Sequence, residues 1–101
     1  MRILVMFDLP VVTAAGRNEY YKFRKYLVKN GFLMLQESIY CKLLPNTAMA
    51  DLTITNIKKN KPPEGLVQVL KITEKQYAKM EYIVGQHSSE LLDTDERVVI
   101  L

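Results

Sequence analysis

Met1-Arg2-Ile3-Leu4-Val5-Met6-Phe7-Asp8-Leu9-Pro10 is the stretch on which the reading of this chain turns. Residues 3–7 are an unbroken apolar run, β-branched in part, closed by an acid and a proline. The run is far shorter than the ~20 apolar residues that span a membrane, and it lacks the small-residue cleavage site of a secretory signal. It reads as a buried strand. Because consecutive positions are apolar, both faces of its sheet need cover. Asp8 then stands on rigid backbone at the rim of the sheet. From there a carboxylate either holds a cation or caps the turn that follows; among Asp-Leu-Pro turns the cap is the commoner role.

Outward from this strand, residues 10–16 read as a loop in which Thr13 offers a cap. A helix follows over residues 17–30, with Tyr20, Phe23 and Leu27 on one face. Asn30-Gly31 is its expected stop. Residues 32–35 and 39–44 look extended. They read as two antiparallel strands joined at Gln36-Glu37-Ser38, or as one long bent strand, since that tripeptide carries a poor turn signal. Pro45-Asn46-Thr47 caps a second helix over residues 48–59, striped by Ala50, Ile54 and Ile57. Its β-branched Thr53-Ile54-Thr55 run weakens the helical preference. Residues 60–65 are a loop rich in proline, and residues 66–72 a strand. Thr73-Glu74-Lys75-Gln76 matches a capping box and opens a short helix. Residues 80–84 read as a further strand. Residues 98–101 read as a terminal one that needs a partner to avoid aggregation.

Strand, helix, strand, strand, helix, strand is the order of the ferredoxin-like α+β sandwich, an antiparallel sheet with two helices on one face. Here it carries extra C-terminal strands. A second copy of the chain is the economical cover for the bare face, because a chain of 101 residues buries a core with little stability to spare. The expected organisation is one domain over residues 1–84 and a tail over 85–101, assembled as a homodimer. The fold alone hosts many functions and assigns none.

Charge is distributed unevenly. Residues 1–84 carry 13 of the 14 Lys and Arg and 7 of the 11 acids, a balance of +6, whereas Arg97 against Glu90, Asp93, Asp95 and Glu96 leaves the tail at −3. The basic body suits a polyanion; the acidic tail suits a protein contact or plain solvation. The single cysteine, Cys41, forms no internal disulfide. With no targeting or membrane segment in sight, the expected setting is the reducing cytoplasm. Cys41 itself reads as a buried thiol.

Asp8 is the only acid before Arg17, and the sequence offers it no companion acid nearby. A hard cation such as Mg²⁺ binds oxygen through as few as one or two protein carboxylates, and two chains meeting near a two-fold axis would supply a pair. Arg17, Lys22, Arg24, Lys25 and Lys29 lie on the first helix against Glu19 alone. At ~100° per residue Lys22, Lys25 and Lys29 share a flank, while Arg17 and Arg24 lie nearer the apolar stripe. Such a row either follows a phosphate backbone or is a solvated face with buried lysine stems. Lys58, Lys59 and Lys61 offer a second patch. Tyr20, Tyr21 and Tyr26 interleave with the cations, and packing is the usual use of tyrosines so placed. His87 is the only histidine and reads as a surface residue. No glycine-rich phosphate loop, zinc spacing or Ser/His/Asp set occurs.

Phe7-Asp8-Leu9-Pro10, Arg17 with its basic helix ending Leu27-Val28-Lys29-Asn30-Gly31-Phe32, Gln36-Glu37-Ser38-Ile39-Tyr40 and Leu70-Lys71-Ile72-Thr73-Glu74-Lys75-Gln76-Tyr77 together resemble the small CRISPR-associated adaptation endonuclease family. The opening stretch and the Thr-Glu-Lys-Gln-Tyr segment look most like its type II branch. The resemblance covers essentially the whole chain. It implies a ferredoxin-like homodimer that bridges two integrase dimers and holds the duplex DNA prespacer. It also implies that Asp8 binds Mg²⁺ or Mn²⁺ and faces its mate across the dimer, that Arg17 contacts DNA backbone, that Ser38 lies near the acidic site, and that the tail meets the integrase. Two functions of different class follow: a DNA-binding scaffold using Arg17, Lys22, Arg24 and Lys25, and a Mg²⁺-dependent phosphodiesterase acting through paired Asp8 residues. A small-molecule regulatory domain is a third, disfavoured by the missing ligand loop and the basic helix.

Overall fold

The computed structural model describes residues 1–86. The opening apolar run is strand β1 (Arg2–Asp8), followed by helix α1 (Ala14–Lys29), strands β2 (Leu33–Gln36) and β3 (Ile39–Leu43), helix α2 (Thr47–Lys59), strand β4 (Leu66–Ile72) and the short helix α3 (Glu74–Ala78). The strands form one sheet in the order β2-β3-β1-β4, with every neighbouring pair antiparallel. This is the ferredoxin-like α+β arrangement expected from the element order.

β1 is an inner strand, paired with β3 on one side (Val5 opposite Tyr40) and with β4 on the other (Val5 opposite Val69). Its odd residues Ile3, Val5 and Phe7 point to the helices. They join Leu9, Phe23, Leu27, Phe32, Tyr40, Leu44, Ala50 and Ile57 in one core. Phe7 is the aromatic hub: its ring meets Phe23 edge-on at 5.2 Å, stacks on Tyr40 at 5.7 Å and tilts against Tyr20 at 5.6 Å. Burial of each such side chain contributes on the order of 1.5–3 kcal/mol. The even residues Arg2, Leu4, Met6 and Asp8 lie on the other face, which α1 and α2 do not cover.

Capping residues set the helix ends. α1 starts at Ala14, three residues before the expected position, because the Thr13 hydroxyl accepts a hydrogen bond from Gly16 N–H at 2.9 Å and fixes the first turn there. At its C-terminus Phe32 N–H donates to Leu27 C=O and Gly31 N–H to Val28 C=O, with Gly31 at φ 88°. That is a Schellman ending, and it delivers the buried Phe32 to the core. Asn46 caps α2 through Met49 N–H. The threonines inside α2 are accommodated by back-bonding: Thr53 donates to Met49 C=O and Thr55 to Asp51 C=O. The capping box forms as expected, with Thr73 and Gln76 bonded reciprocally. Its neighbour Glu74 pairs with Arg2, whose guanidinium holds the Glu74 carboxyl below the usual carboxylate range. Cys41 is buried, as expected, and burial pushes its thiol up.

One expected element is absent. Residues 80–84 form no strand. After α3 the chain runs over the face of the sheet rather than along an edge, so its backbone finds no strand to pair with. Met80, Tyr82 and Val84 border a hollow beside Leu4, Met6, Leu35 and Ile39, yet Ile83 and Val84 are 88% and 91% exposed. The expected strand at residues 98–101, His87 and nearly all of the acidic tail lie outside the described residues.

Candidate nucleic-acid and metal site at the rim of the sheet

Asp8 ends β1 and is exposed, whereas the residues flanking it, Phe7 and Leu9, are buried. The side chain is thus presented to solvent by a backbone anchored on both sides. Among the described residues its carboxylate accepts no hydrogen bond and enters no ion pair, so it does not serve as a turn cap. Two glycines let neighbouring chain crowd this stretch. A side-chain carbon on Gly16 would collide with the Pro10 carbonyl oxygen, and one on Gly65 would stand 2.9 Å from the Asp8 carbonyl oxygen.

The link between β2 and β3 is a tight two-residue turn, Glu37-Ser38, which settles the hairpin against the single bent strand. Ser38 sits at φ 71°, in the left-handed region, where a non-glycine residue is uncommon. Two bonds hold it there. Its carbonyl accepts from Phe7 N–H at 3.0 Å, and its hydroxyl lies 3.3 Å from the Tyr20 hydroxyl. The first of these extends the β1–β3 pairing past Met6–Ile39 and places the turn beside Asp8.

The result is a hollow of about 420 Å³ lined by Asp8, Leu9, Val11, Arg17, Tyr20, Tyr21, Glu37 and Ser38. Asp8, Glu37 and Ser38 also line a second hollow, about 300 Å³, with Leu66 and Gln68. Glu37, from the same chain, thus lines both hollows together with Asp8. Linear sequence hid it because only the β1–β3 register brings the two together.

Arg17 lies where the sequence suggested, and the structure brings it into the Asp8 hollow. Its Nη1 donates to the carbonyls of Val11 and Val12, both at 3.2 Å, which fixes the guanidinium over the loop. Tyr20 and Tyr26 pack on the core. Tyr21 does not; it is 61% exposed, stands edge-on to Tyr20 and walls the hollow. Lys22, Arg24 and Lys25 are exposed on α1 and stand outside the hollow, along the helix that leads away from it. Lys58, Lys59 and Lys61 are exposed at the far end of α2, where positive charge complements the helix dipole.

Chemically, the lining of the hollow includes two carboxylates, a hydroxyl and a guanidinium. Oxygen donors of this kind fit a hard divalent cation, which commonly uses only one or two protein carboxylates, and the guanidinium fits a phosphate. Among the described residues no group of three or more His, Cys, Asp or Glu side chains forms a denser metal cage, and no helix is long and apolar enough to cross a membrane.

The family model for CRISPR associated protein Cas2 matches residues 1–80. The chain is similar to a CRISPR-associated endoribonuclease Cas2 of Treponema denticola, 57% identical over 101 residues and all of both chains. It is 43% identical to the Streptococcus mutans protein of the same name, over all of this chain and 93% of that one. The crystal structure of Streptococcus pyogenes Cas2 superposes with a TM-score of 0.61 at 16% identity, covering 83% of this chain and 100% of that one, a likeness of fold. The ferredoxin-like sheet, the acidic end of its first strand and the family match over most of the chain place this protein in the CRISPR-associated Cas2 family.

Proposed function

We propose that this protein serves CRISPR adaptation as a homodimer that holds duplex prespacer DNA for the integrase, with Asp8 and Glu37 binding Mg²⁺ or Mn²⁺ at the rim of the sheet. The observation that carries the proposal is the run of exposed cations on α1, Arg17, Lys22, Arg24, Lys25 and Lys29, starting in the Asp8 hollow. A row of this kind follows phosphates and reads no bases. The dimer is supported by four leucines on the face that α1 and α2 leave bare: Leu33, Leu43, Leu66 and Leu70, each 49–59% exposed. A second copy docked there would bury them and bring its Asp8 toward this one.

Sedimentation at low micromolar concentration is expected to give twice the 11.7 kDa chain mass; a purely monomeric species would remove the dimer. Duplex binding is expected to be sequence-independent, with log K falling by about 0.9 per log salt for each phosphate neutralised. Arg17→Glu with Arg24→Glu should lower both affinity and slope. Unchanged binding in that double variant would move the DNA surface elsewhere, first to Lys58–Lys61.

A second reading is favoured by Glu37. Two carboxylates beside a guanidinium are a better setting for phosphodiester hydrolysis than one, and the relatives carry the name endoribonuclease. A cation held there supplies Lewis acidity and neutralises charge on the phosphate. The chain's own contribution in that case is orientation: Asp8 and Glu37 fix the cation, Arg17 steadies the phosphate and Tyr21 offers a ring face to a base.

A further inference from the structure

Three tyrosines interleave with the cations of α1, and one of them has no place in the core. Tyr26 packs against the core. Tyr20 does so too, and its hydroxyl is engaged with that of Ser38 at 3.3 Å. Tyr21 is 61% exposed. It meets the Tyr20 ring at 5.6 Å with the planes crossing at 86°, a perpendicular contact that steadies the ring without covering it.

Arg17 stands four residues before Tyr21, and residues at that spacing are neighbours on a helix surface. Both line the hollow of about 420 Å³ at the end of β1, a volume in the range of small-ligand sites. The guanidinium is anchored through Nη1, which donates to the carbonyls of Val11 and Val12, both at 3.2 Å. Nε and Nη2 keep their protons for an incoming phosphate. A flat aromatic wall thus stands beside a fixed cation.

A base inside a duplex is stacked on both faces and paired along its edge, so it cannot lay a face on Tyr21. An unpaired base can. Charge points the same way. Asp8 and Glu37 line the same hollow and repel any phosphate beyond the one that Arg17 neutralises, which favours a single nucleotide with its neutral base inward over a run of backbone.

We propose that Tyr21 is a stacking platform for one unpaired nucleotide, whose base lies on the ring and whose phosphate is held by Arg17. Tyr21 is then the residue that tells a single strand from paired duplex. The platform rests on the nucleic-acid role proposed above and deepens it. Lys22, Arg24 and Lys25 follow the phosphates of any strand, and Tyr21 adds a preference for an unpaired one. That preference is tolerant of sequence, because every base has a π-face.

The test compares oligothymidine, which does not pair with itself, with a flush-ended DNA duplex. Binding to the full chain is followed by fluorescence anisotropy in the presence of EDTA, so that no cleavage enters. Tyr21→Ala should weaken the oligothymidine complex about tenfold and leave duplex binding within about twofold, since no phosphate contact is lost. For the same reason the salt slope of oligothymidine binding should not change. Tyr21→Phe should match the parent on both ligands, because the ring stacks and the hydroxyl does not. Equal losses on the two ligands in Tyr21→Ala, no loss on oligothymidine, or a loss in Tyr21→Phe as large as in Tyr21→Ala would overturn the platform while the parent's duplex binding leaves the nucleic-acid role standing. A parent protein that binds neither ligand would overturn both.

Discussion

Asp8→Asn is expected to weaken Mn²⁺ binding by at least ~10-fold and to lower any phosphodiester cleavage by ~100-fold or more, the usual loss when one principal electrostatic stabiliser of a transition state is removed. Folding should be untouched. Asp8 is exposed, and among the described residues its carboxylate has no hydrogen-bond or ion-pair partner to lose. Asparagine keeps the shape and removes the negative charge that a hard cation requires. Glu37→Gln should move metal affinity in the same direction by a smaller factor, since Glu37 sits on a turn and Asp8 on an inner strand. The checks are Mn²⁺ titration by electron paramagnetic resonance, nuclease assay of the isolated protein, and thermal melting. A full-strength Mn²⁺ site in the Asp8→Asn, Glu37→Gln double variant would remove the metal from the rim. An effect of Asp8→Asn alone would leave Glu37 as a bystander.

Phe7→Ala is expected to cost ~3–5 kcal/mol, the range for truncating a buried aromatic residue. Phe7 is 5% exposed and touches three other rings, so the cavity would open at the junction of β1, α1 and β3. Domains of this size hold ~5–15 kcal/mol in total, and each kcal/mol moves the melting temperature by roughly 4–8 °C. A fall on the order of 15 °C or more is therefore expected, with Phe7→Leu far milder because it leaves less empty volume. Melting followed by circular dichroism measures this. A fall below about 5 °C would mean that the core collapses freely around the gap and that Phe7 is no hub. The same change should loosen the rim, because Phe7 N–H holds the Ser38 carbonyl.

What was legible in the sequence was local. The apolar opening run, the Tyr20–Phe23–Leu27 stripe, the Asn30-Gly31 stop and the Thr73–Gln76 box each carry their signal within a few residues, and each forms as expected. Thr13 is legible as a cap, yet the sequence reads as helix only from Arg17; the place of Gly16 inside the helix is a matter of contact with Pro10. The Glu37-Ser38 turn was poorly marked because its left-handed residue is a serine, where glycine, asparagine or aspartate is usual. Glu37 beside Asp8 and Glu74 beside Arg2 were invisible, since both depend on strand register. Residues 80–84 have the composition of a strand; the place where α3 sets them down, over the face of the sheet, denies them a partner. The metal, the DNA row and the dimer are suggested by residue chemistry and resemblance, and they stand as proposals.

The proposed role, holding prespacer DNA for the integrase, requires no bond-breaking chemistry at the acidic rim. Its most direct test is prespacer integration by the complex reconstituted with the integrase, comparing the parent with the Asp8→Asn, Glu37→Gln double variant, each shown to fold and assemble normally. The account predicts integration within about threefold of the parent, as expected when no group acting on the reacting bonds has been removed. Loss of integration in a correctly assembled double variant would contradict it and make the rim a working catalytic centre.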